Sequence, residues 1–171
     1  MGSNGRIPKR NQRSLRKCIE DIKRKKIASK KVVNLQDFRE LRKNIEEAKV
    51  ILVVDDEEII RNGLKRILES QGYKVILAGD GMELSKVLES SRLDLIMLDV
   101  NLPWVDGLEL CKLIKGNQGF QKVPLILISG RKTEVDVQIG FKAGCDDYIA
   151  KPFDVDAITT SVSRAFEKIP S

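Results

Sequence analysis

From residue 50 onward, short apolar runs alternate with stretches of helical periodicity. Val, Ile and Leu dominate the apolar runs, which read VILVV, KVILA, LDLIML, VPLILIS and DYIA. Runs of this kind are typical of strands in a parallel sheet that is covered on both faces. Between them, apolar residues recur at the spacing of amphipathic helices. The alternation predicts an α/β fold with a doubly wound, five-stranded parallel sheet, helices on both faces and right-handed crossovers.

The N-terminal part of the chain has a different character. Residues 1–49 contain 16 Lys and Arg against 6 Asp and Glu, a net charge of +10, whereas residues 50–171 carry a net charge of −4. Residues 1–13 have the composition of a disordered basic tail. Apolar residues at helical spacing predict a basic extension of about two helices in residues 14–48. The α/β domain is then expected to span residues 49–171.

Composition excludes several classes of protein. The three cysteines, Cys18, Cys111 and Cys145, lack metal-ligand spacing, and their odd number argues against a secreted disulfide framework. We therefore expect free thiols and a cytoplasmic protein. No apolar run approaches the roughly 20 residues that span a bilayer, so no membrane insertion is expected. The chain has no histidine, which excludes self-phosphorylation on an imidazole.

Polar side chains follow four of the five predicted strands. They are Asp55 and Asp56 after the first, Asp99 after the third, Ser129 after the fourth and Lys151 after the fifth. Because ligands of open α/β sheets bind outside the carboxyl ends of the strands, we expect these side chains to converge. Three close carboxylates repel one another unless a cation such as Mg²⁺ neutralises them, and the lysine adds a further positive charge. Such a site is complementary to a phosphoryl group.

Within this site, Asp99 is the natural nucleophile, because it stands alone on its strand end and a carboxylate can accept phosphate. Each residue also has a simpler explanation on its own. Asp55 could cap a helix, with Glu58 reaching back as in a capping box. Asp99 and Ser129 could be turn or loop residues, and Lys151 could lie in water. Their joint placement after successive strands favours the phosphoryl site.

Four motifs in a fixed order give the chain a family resemblance. They read VVDDE at 53–57, DLIMLDVNLPWVDG at 94–107, PLILISG at 124–130 and GCDDYIAKPF at 144–153. With this spacing, residues 50–168 resemble the receiver domain of a bacterial two-component response regulator, similar to the chemotaxis regulators. The resemblance implies a flavodoxin-like sheet with strand order 2-1-3-4-5. It also implies a phosphoacceptor in a two-component or phosphorelay system, not an enzyme beyond its own phosphoryl transfer and dephosphorylation.

The resemblance assigns roles to the site residues. Asp99 would take phosphate from the phosphohistidine of a histidine kinase or a histidine phosphotransfer protein. Asp56 and Asp99, with the backbone carbonyl of Asn101, would hold Mg²⁺, and Asp55 would act mainly through a water on the metal. Lys151 would pair with the phosphoryl oxygens, and its bond to the following proline is commonly cis.

A switch is also implied by the resemblance. In this family the residue at the Ser129 position moves toward the phosphate, and an aromatic residue at the Tyr148 position follows it inward. Without the family, Tyr148 would be interpreted as a half-buried aromatic with its hydroxyl in water. A homodimer through the last two helices and the intervening strand is a further expectation. Because the sequence stops soon after the last predicted helix, we expect no C-terminal effector within it.

Two other functions compete with the receiver. Residues 1–49 could bind nucleic acid through their positive charge, with the receiver as a modulator, although they lack interleaved aromatic residues. A phosphatase of the haloacid dehalogenase type also uses an Asp nucleophile, a Lys and magnesium. That family would need a second acid where this chain has Asn101, and its nucleophile follows the first strand, whereas Asp99 follows the third.

Overall fold

The computed structural model of the protein describes residues 48–167. The predicted basic tail (residues 1–13) and the predicted helical extension (residues 14–48), apart from residue 48, lie outside the described residues. Among residues 48–167, no helix has the length and apolar character that crossing a bilayer requires.

Strands and helices alternate through the described residues. The strands are β1 Val50–Val54, β2 Lys74–Ala78, β3 Leu95–Asp99, β4 Leu125–Ser129 and β5 Asp147–Ala150. The helices are α1 Glu58–Ser70, α2 Gly81–Ser90, α3 Gly107–Gly116, α4 Glu134–Lys142 and α5 Val155–Glu167. All neighbouring strands pair in parallel, in the order β2-β1-β3-β4-β5. The predicted fold class and strand order are confirmed.

The core consists of two layers, one on each face of the sheet. Successive residues of a strand point to opposite faces, so β1 contributes to both layers. Leu52 and Val54 pack in the layer that includes buried residues of α2 and α3. Ile51 and Val53 pack in the layer that includes buried residues of α1 and α5. Full burial of each such side chain contributes about 1.5–3 kcal/mol, which is why these strands contain so few polar residues.

One glycine fixes the approach of α3 to the end of β3. A Cβ at Gly107, the first residue of α3, would overlap the main-chain oxygen of Asp99 and lie 2.6 Å from Val100 Cα. The Gly107 amide donates a hydrogen bond to the Val100 carbonyl at 3.0 Å. The Asp106 side chain caps the same helix by accepting from the Leu108 amide at 2.8 Å. The helix start therefore packs directly on the backbone that carries Asp99.

Candidate functional site

Three carboxylates meet at the carboxyl edge of the sheet. Asp55 and Asp56 follow β1, and Asp99 is the last residue of the adjacent strand β3. One carboxylate oxygen from each of the three lies within 4.8 Å of the others. Asp55 and Asp99 are buried, whereas Asp56 is exposed. The pairing of two parallel strands thus brings together acids that are more than 40 positions apart in the sequence.

The positive charge that faces these acids comes from Lys151, directly after β5. Its Nζ lies 3.0 Å from Asp55 Oδ2, 3.2 Å from Asp99 Oδ1 and 3.7 Å from Glu57 Oε1. Its main-chain amide donates to the Ser129 carbonyl at 2.7 Å, which extends the β4–β5 pairing to the rim. The Lys151–Pro152 peptide bond is cis, as the family resemblance implied.

The charges in this cluster change the pKa values of two of its members. Burial raises the pKa of the Asp99 carboxyl above its ordinary value, the negative charge of Asp55 adds to this rise, and Lys151 opposes it. For Lys151, burial lowers the pKa, but the hydrogen bond with Asp55 and the charges of Asp55 and Asp99 outweigh it and raise the pKa overall. The lysine is therefore fully charged at neutral pH, and the ionised form of Asp99 is costly.

Asp55 uses both of its carboxylate oxygens within the protein. Oδ1 accepts a hydrogen bond from the Glu57 amide at 2.8 Å, and Oδ2 accepts one from Lys151 Nζ at 3.0 Å. The N-cap of α1 is Glu57, whose side chain makes no capping hydrogen bond. The alternative interpretation, a capping box formed by Asp55 and Glu58, is therefore wrong.

The donor set fits a divalent cation. Within residues 48–167, Asp99 Oδ1 is buried and has no hydrogen-bond partner of acceptable geometry, although the Lys151 amine lies within ion-pair distance. Asp56 contributes an exposed carboxylate to the same cluster. Hard cations such as Mg²⁺ prefer carboxylate oxygens and retain several waters, which an open rim allows. Asn101 is exposed at the start of the next loop and forms an isolated bridge with Asp106.

Ser129 and Tyr148 are joined through one residue of the loop after β4. The buried Ser129 Oγ accepts a hydrogen bond from the Arg131 amide at 3.0 Å. The Tyr148 hydroxyl donates to the Arg131 carbonyl at 2.7 Å, so the interpretation that left this hydroxyl in water is wrong. The Tyr148 ring also packs against Gly140 and Leu127.

Two residues near the site were not identified from the sequence. Glu57 lies within ion-pair distance of Lys151, and the VVDDE motif contained it without indicating that contact. Arg61 Nη1 donates hydrogen bonds to the main-chain oxygens of Asp55 and Asp56 at 2.6 and 2.7 Å. No local pattern marks an arginine that binds main chain, so sequence reasoning had no signal for it.

Comparison with known proteins gives one consistent result. The family model described as the response regulator receiver domain matches residues 51–163. The alkaline phosphatase synthesis transcriptional regulatory protein PhoP of Bacillus subtilis is 43% identical over 122 residues, which cover 70% of this chain and 50% of PhoP. The aerobic respiration control protein ArcA of Escherichia coli is 40% identical over 109 residues, covering 64% and 44% respectively. This chain thus spans about half the length of these curated relatives.

Solved structures show the same similarity. The chemotaxis protein CheY4 of Vibrio cholerae superimposes with a TM-score of 0.64 at 28% identity, covering 69% of this chain and 98% of that protein. A two-component response regulator from Clostridium difficile gives a TM-score of 0.66 at 26% identity, covering 72% and 99%. Both likenesses cover nearly the whole of the other chain but leave more than a quarter of this one unmatched.

The raised pKa of Asp99 leads to a prediction about stability. A carboxyl whose pKa is higher in the folded state destabilises the fold as the pH rises from the ordinary carboxyl range through the raised pKa. In metal-free buffer at pH 7 we therefore expect Asp99→Asn to increase the free energy of unfolding, by on the order of 1 kcal/mol. Urea denaturation across pH 3 to 8 measures the effect, which should vanish at acidic pH.

Asp156→Asn is the matched control for that experiment, because Asp156 is an exposed aspartate on α5. Its stability should differ from that of the wild type by less than about 0.5 kcal/mol. A decrease in stability for Asp99→Asn at pH 7 would contradict the interpretation that burial raises the pKa of Asp99 and makes its ionised form destabilising.

Proposed function

This chain belongs to the family of response regulator receiver domains, and from that premise we propose that it accepts a phosphoryl group on Asp99 in a two-component or phosphorelay system. The observation that carries the proposal is the state of the Asp99 carboxylate. It is buried, its Oδ1 lacks a hydrogen-bond partner within the described part of the chain, and the Lys151 amine lies 3.2 Å away. Such a carboxylate can react as a nucleophile, and the neighbouring Lys151 amine can stabilise the negative charge that a phosphoryl group would add.

The phosphoryl group must come from another molecule, since the chain has no histidine. We propose a histidine kinase or a histidine phosphotransfer protein as the donor. A carboxylate oxygen of Asp99 would attack the phosphorus of the donor's phosphohistidine. The phosphorus–nitrogen bond would break, its electron pair would return to the imidazole, which takes up a proton, and an aspartyl phosphate would form. Lys151 is near enough to pair with the added oxygens.

The acids around Asp99 would serve as the metal site. Asp56 and Asp99, with the main-chain carbonyl of Asn101, would hold Mg²⁺ directly, and Asp55 would contribute its charge. Both oxygens of Asp55 already accept hydrogen bonds, which supports this indirect role. When bound, the cation would neutralise the phosphoryl oxygens. Transfer and later hydrolysis would then proceed by positioning and charge alone, without a separate catalytic base on this chain.

Phosphorylation can be tested by intact-mass spectrometry after incubation with acetyl phosphate and Mg²⁺. We expect the wild type to gain one acid-labile phosphate per chain, because one activated carboxylate is available. Asp99→Asn should gain none, and Asp156→Asn should behave as the wild type. Removal of Mg²⁺ with a chelator should slow the gain by at least tenfold, because the three acids would repel the donor.

The same samples separate this function from a haloacid dehalogenase-type phosphatase. Steady hydrolysis of a small phosphoester, dependent on Asp99, would contradict the receiver proposal. The position of Asp99 at the end of the third strand, with Asn101 two residues later, already supports the receiver.

We further propose that Ser129 and Tyr148 transmit the phosphorylated state. Ser129 Oγ is bound to the Arg131 amide, and the Tyr148 hydroxyl is bound to the carbonyl of the same residue. If Ser129 turns its hydroxyl toward a phosphoryl oxygen, the Arg131 amide loses its acceptor. The loop after β4 would then shift and move the acceptor of Tyr148, which changes the surface between α4 and β5.

Gly140 gives a test of this switch. A Cβ at Gly140 would lie 2.8 Å from Tyr148 Cδ2, so Gly140→Ala should displace the ring and break its bond to Arg131. Fluorotyrosine NMR measures this well, because the chain has only two tyrosines and Tyr73 provides an internal reference. We expect the Tyr148 signal of the variant to be shifted before activation and to respond less to Mg²⁺ with beryllium fluoride, a phosphoryl mimic.

Gly130→Ala is the control for that variant, since a Cβ there meets nothing within 4 Å. Its Tyr148 signal should match the wild type in both states. An unshifted signal in Gly140→Ala, or a wild-type response in both variants, would contradict the proposed path.

We also propose binding partners for surfaces outside the acidic site. The exposed apolar residues Val135, Ile139 and Phe141 on α4 support a homodimer through α4, β5 and α5. The net charge of +10 in residues 1–49 supports nucleic-acid contact as a second candidate function. Sedimentation velocity with and without beryllium fluoride and a DNA duplex distinguishes the two. A dimer should form without DNA, whereas nucleic-acid binding should weaken steeply with salt.

We propose a cytoplasmic location on the basis of the thiols. Cys111 and Cys145 are buried and free, and burial raises the pKa values of their thiols to about 11 and about 12. Such cysteines act as small apolar residues and are compatible with a reducing compartment. Quantitative alkylation of these thiols only after unfolding, without prior reduction, is the expected result.

A further inference from the structure

We propose that Arg61 is a positioning residue that holds the loop after β1 in the shape needed to bind a divalent cation. Arg61 lies in the first part of α1, and its Nη1 donates hydrogen bonds to the main-chain oxygens of Asp55 at 2.6 Å and Asp56 at 2.7 Å. These are the two residues whose carboxylates join Asp99 in the acidic cluster. A single guanidinium nitrogen therefore fixes the direction of both consecutive carbonyls.

The direction of the carbonyls matters because it determines where the side chains lie. Rotation of the peptide unit between Asp55 and Asp56 would move both carboxylates relative to Asp99. Hydrogen bonds from a charged donor are stronger than neutral ones, so the two bonds oppose that rotation. Asp55 is further held by the Glu57 amide and Lys151, whereas Asp56 is exposed and has no other constraint among the hydrogen bonds of residues 48–167.

The space that the guanidinium occupies depends on Gly79. An ideal Cβ at Gly79 would lie 2.8 Å from Arg61 Nη1 and 2.9 Å from Cζ. The Gly79 amide donates to Glu83 Oε2 at 2.8 Å, so the backbone there is itself held in place. With alanine after β2, the guanidinium would have to shift from its present position beside the loop. We call Arg61 and Gly79 together the brace, because the space at Gly79 accommodates the guanidinium that binds the loop.

Electrostatics and positioning predict opposite effects of removing Arg61. Loss of a positive charge close to the acids should tighten the binding of a cation. Loss of the brace should weaken it, because only a fraction of molecules would then have the binding-competent loop. The sign of the change in Mg²⁺ affinity therefore distinguishes a positioning residue from a residue that acts only through its positive charge.

The experiment measures the Mg²⁺ dissociation constant of the full chain by calorimetric titration. Arg61→Met keeps the aliphatic stem and removes the nitrogen that donates both hydrogen bonds, whereas Gly79→Ala keeps the charge and forces the guanidinium to shift from its present position. We expect each to weaken Mg²⁺ binding by about fivefold or more. Arg61→Lys should restore part of the affinity, because one amine can reach at least one carbonyl. Arg66→Met is the matched control, since Arg66 is an exposed arginine on the same helix.

The double variant Arg61→Met/Gly79→Ala tests whether the two residues act together. If they form one brace, the double variant should bind Mg²⁺ no more weakly than either single variant. If the losses of Mg²⁺ affinity in the two single variants multiply in the double variant, the proposal is overturned. Mg²⁺ binding in Arg61→Met that is equal to or tighter than in the wild type would also overturn it. A purely structural role would lower the free energy of unfolding in metal-free buffer and leave the Mg²⁺ affinity of the folded protein unchanged, which would also overturn it.

This inference rests on the proposed function, and a second measurement separates the two. Hydrogen exchange of the amides of residues 55–57 in metal-free buffer reports on the loop alone. Exchange should be faster in Arg61→Met and Gly79→Ala than in Arg66→Met. Absence of Mg²⁺ binding in the wild type would contradict the proposed function, whereas unchanged exchange in both brace variants would contradict the role of Arg61.

Discussion

The acidic edge of this sheet depends on one amine. Asp55 and Asp99 are buried side by side, and two buried carboxylates in such proximity are stable in ionised form only when positive charge faces them. Lys151 provides it, with Nζ 3.0 Å from the first and 3.2 Å from the second. The amine arrives there because β5 pairs with β4 in a register that sets Ala150 opposite Ser129, one residue before the lysine. The register of β5 against β4 therefore determines whether the two buried carboxylates are neutralised.

The rest of the site is arranged around that balance. The lysine compensates only part of the negative charge, since the pKa of Asp99 stays raised by burial despite the neighbouring amine. The ionised carboxylate is therefore stabilised by any event that brings further positive charge close to it. Ser129 and Tyr148 both bind the main chain of Arg131, and under the proposed switch this shared residue would carry a change at Asp99 to the surface.

The sequence predicts where the helices lie along the chain, but it does not predict which side of each helix packs against the sheet. Leu108, Leu110 and Leu113 are among the apolar residues whose spacing predicts a helix after the third strand, and α3 is present. Its buried side is formed by Leu110, Cys111 and Ile114, however, while Leu113 is 69% exposed. Val135 and Phe141 on α4 are likewise exposed despite fitting an apolar pattern. Apolar residues on several sides of a short helix leave its rotation undetermined, and packing against the sheet then decides it.

The sequence by itself determined the fold class and the residue types at the strand ends, because the periods of strands and helices and the burial of apolar runs act over a few neighbouring residues. Only the tertiary structure decided the contacts within the site. The pairing of Lys151 with Asp55, the shared Arg131 main chain, and the reach of Arg61 over Gly79 join residues that are far apart or that bind backbone atoms. Such contacts leave no periodic signal, because strand order and register, rather than local spacing, bring the atoms together.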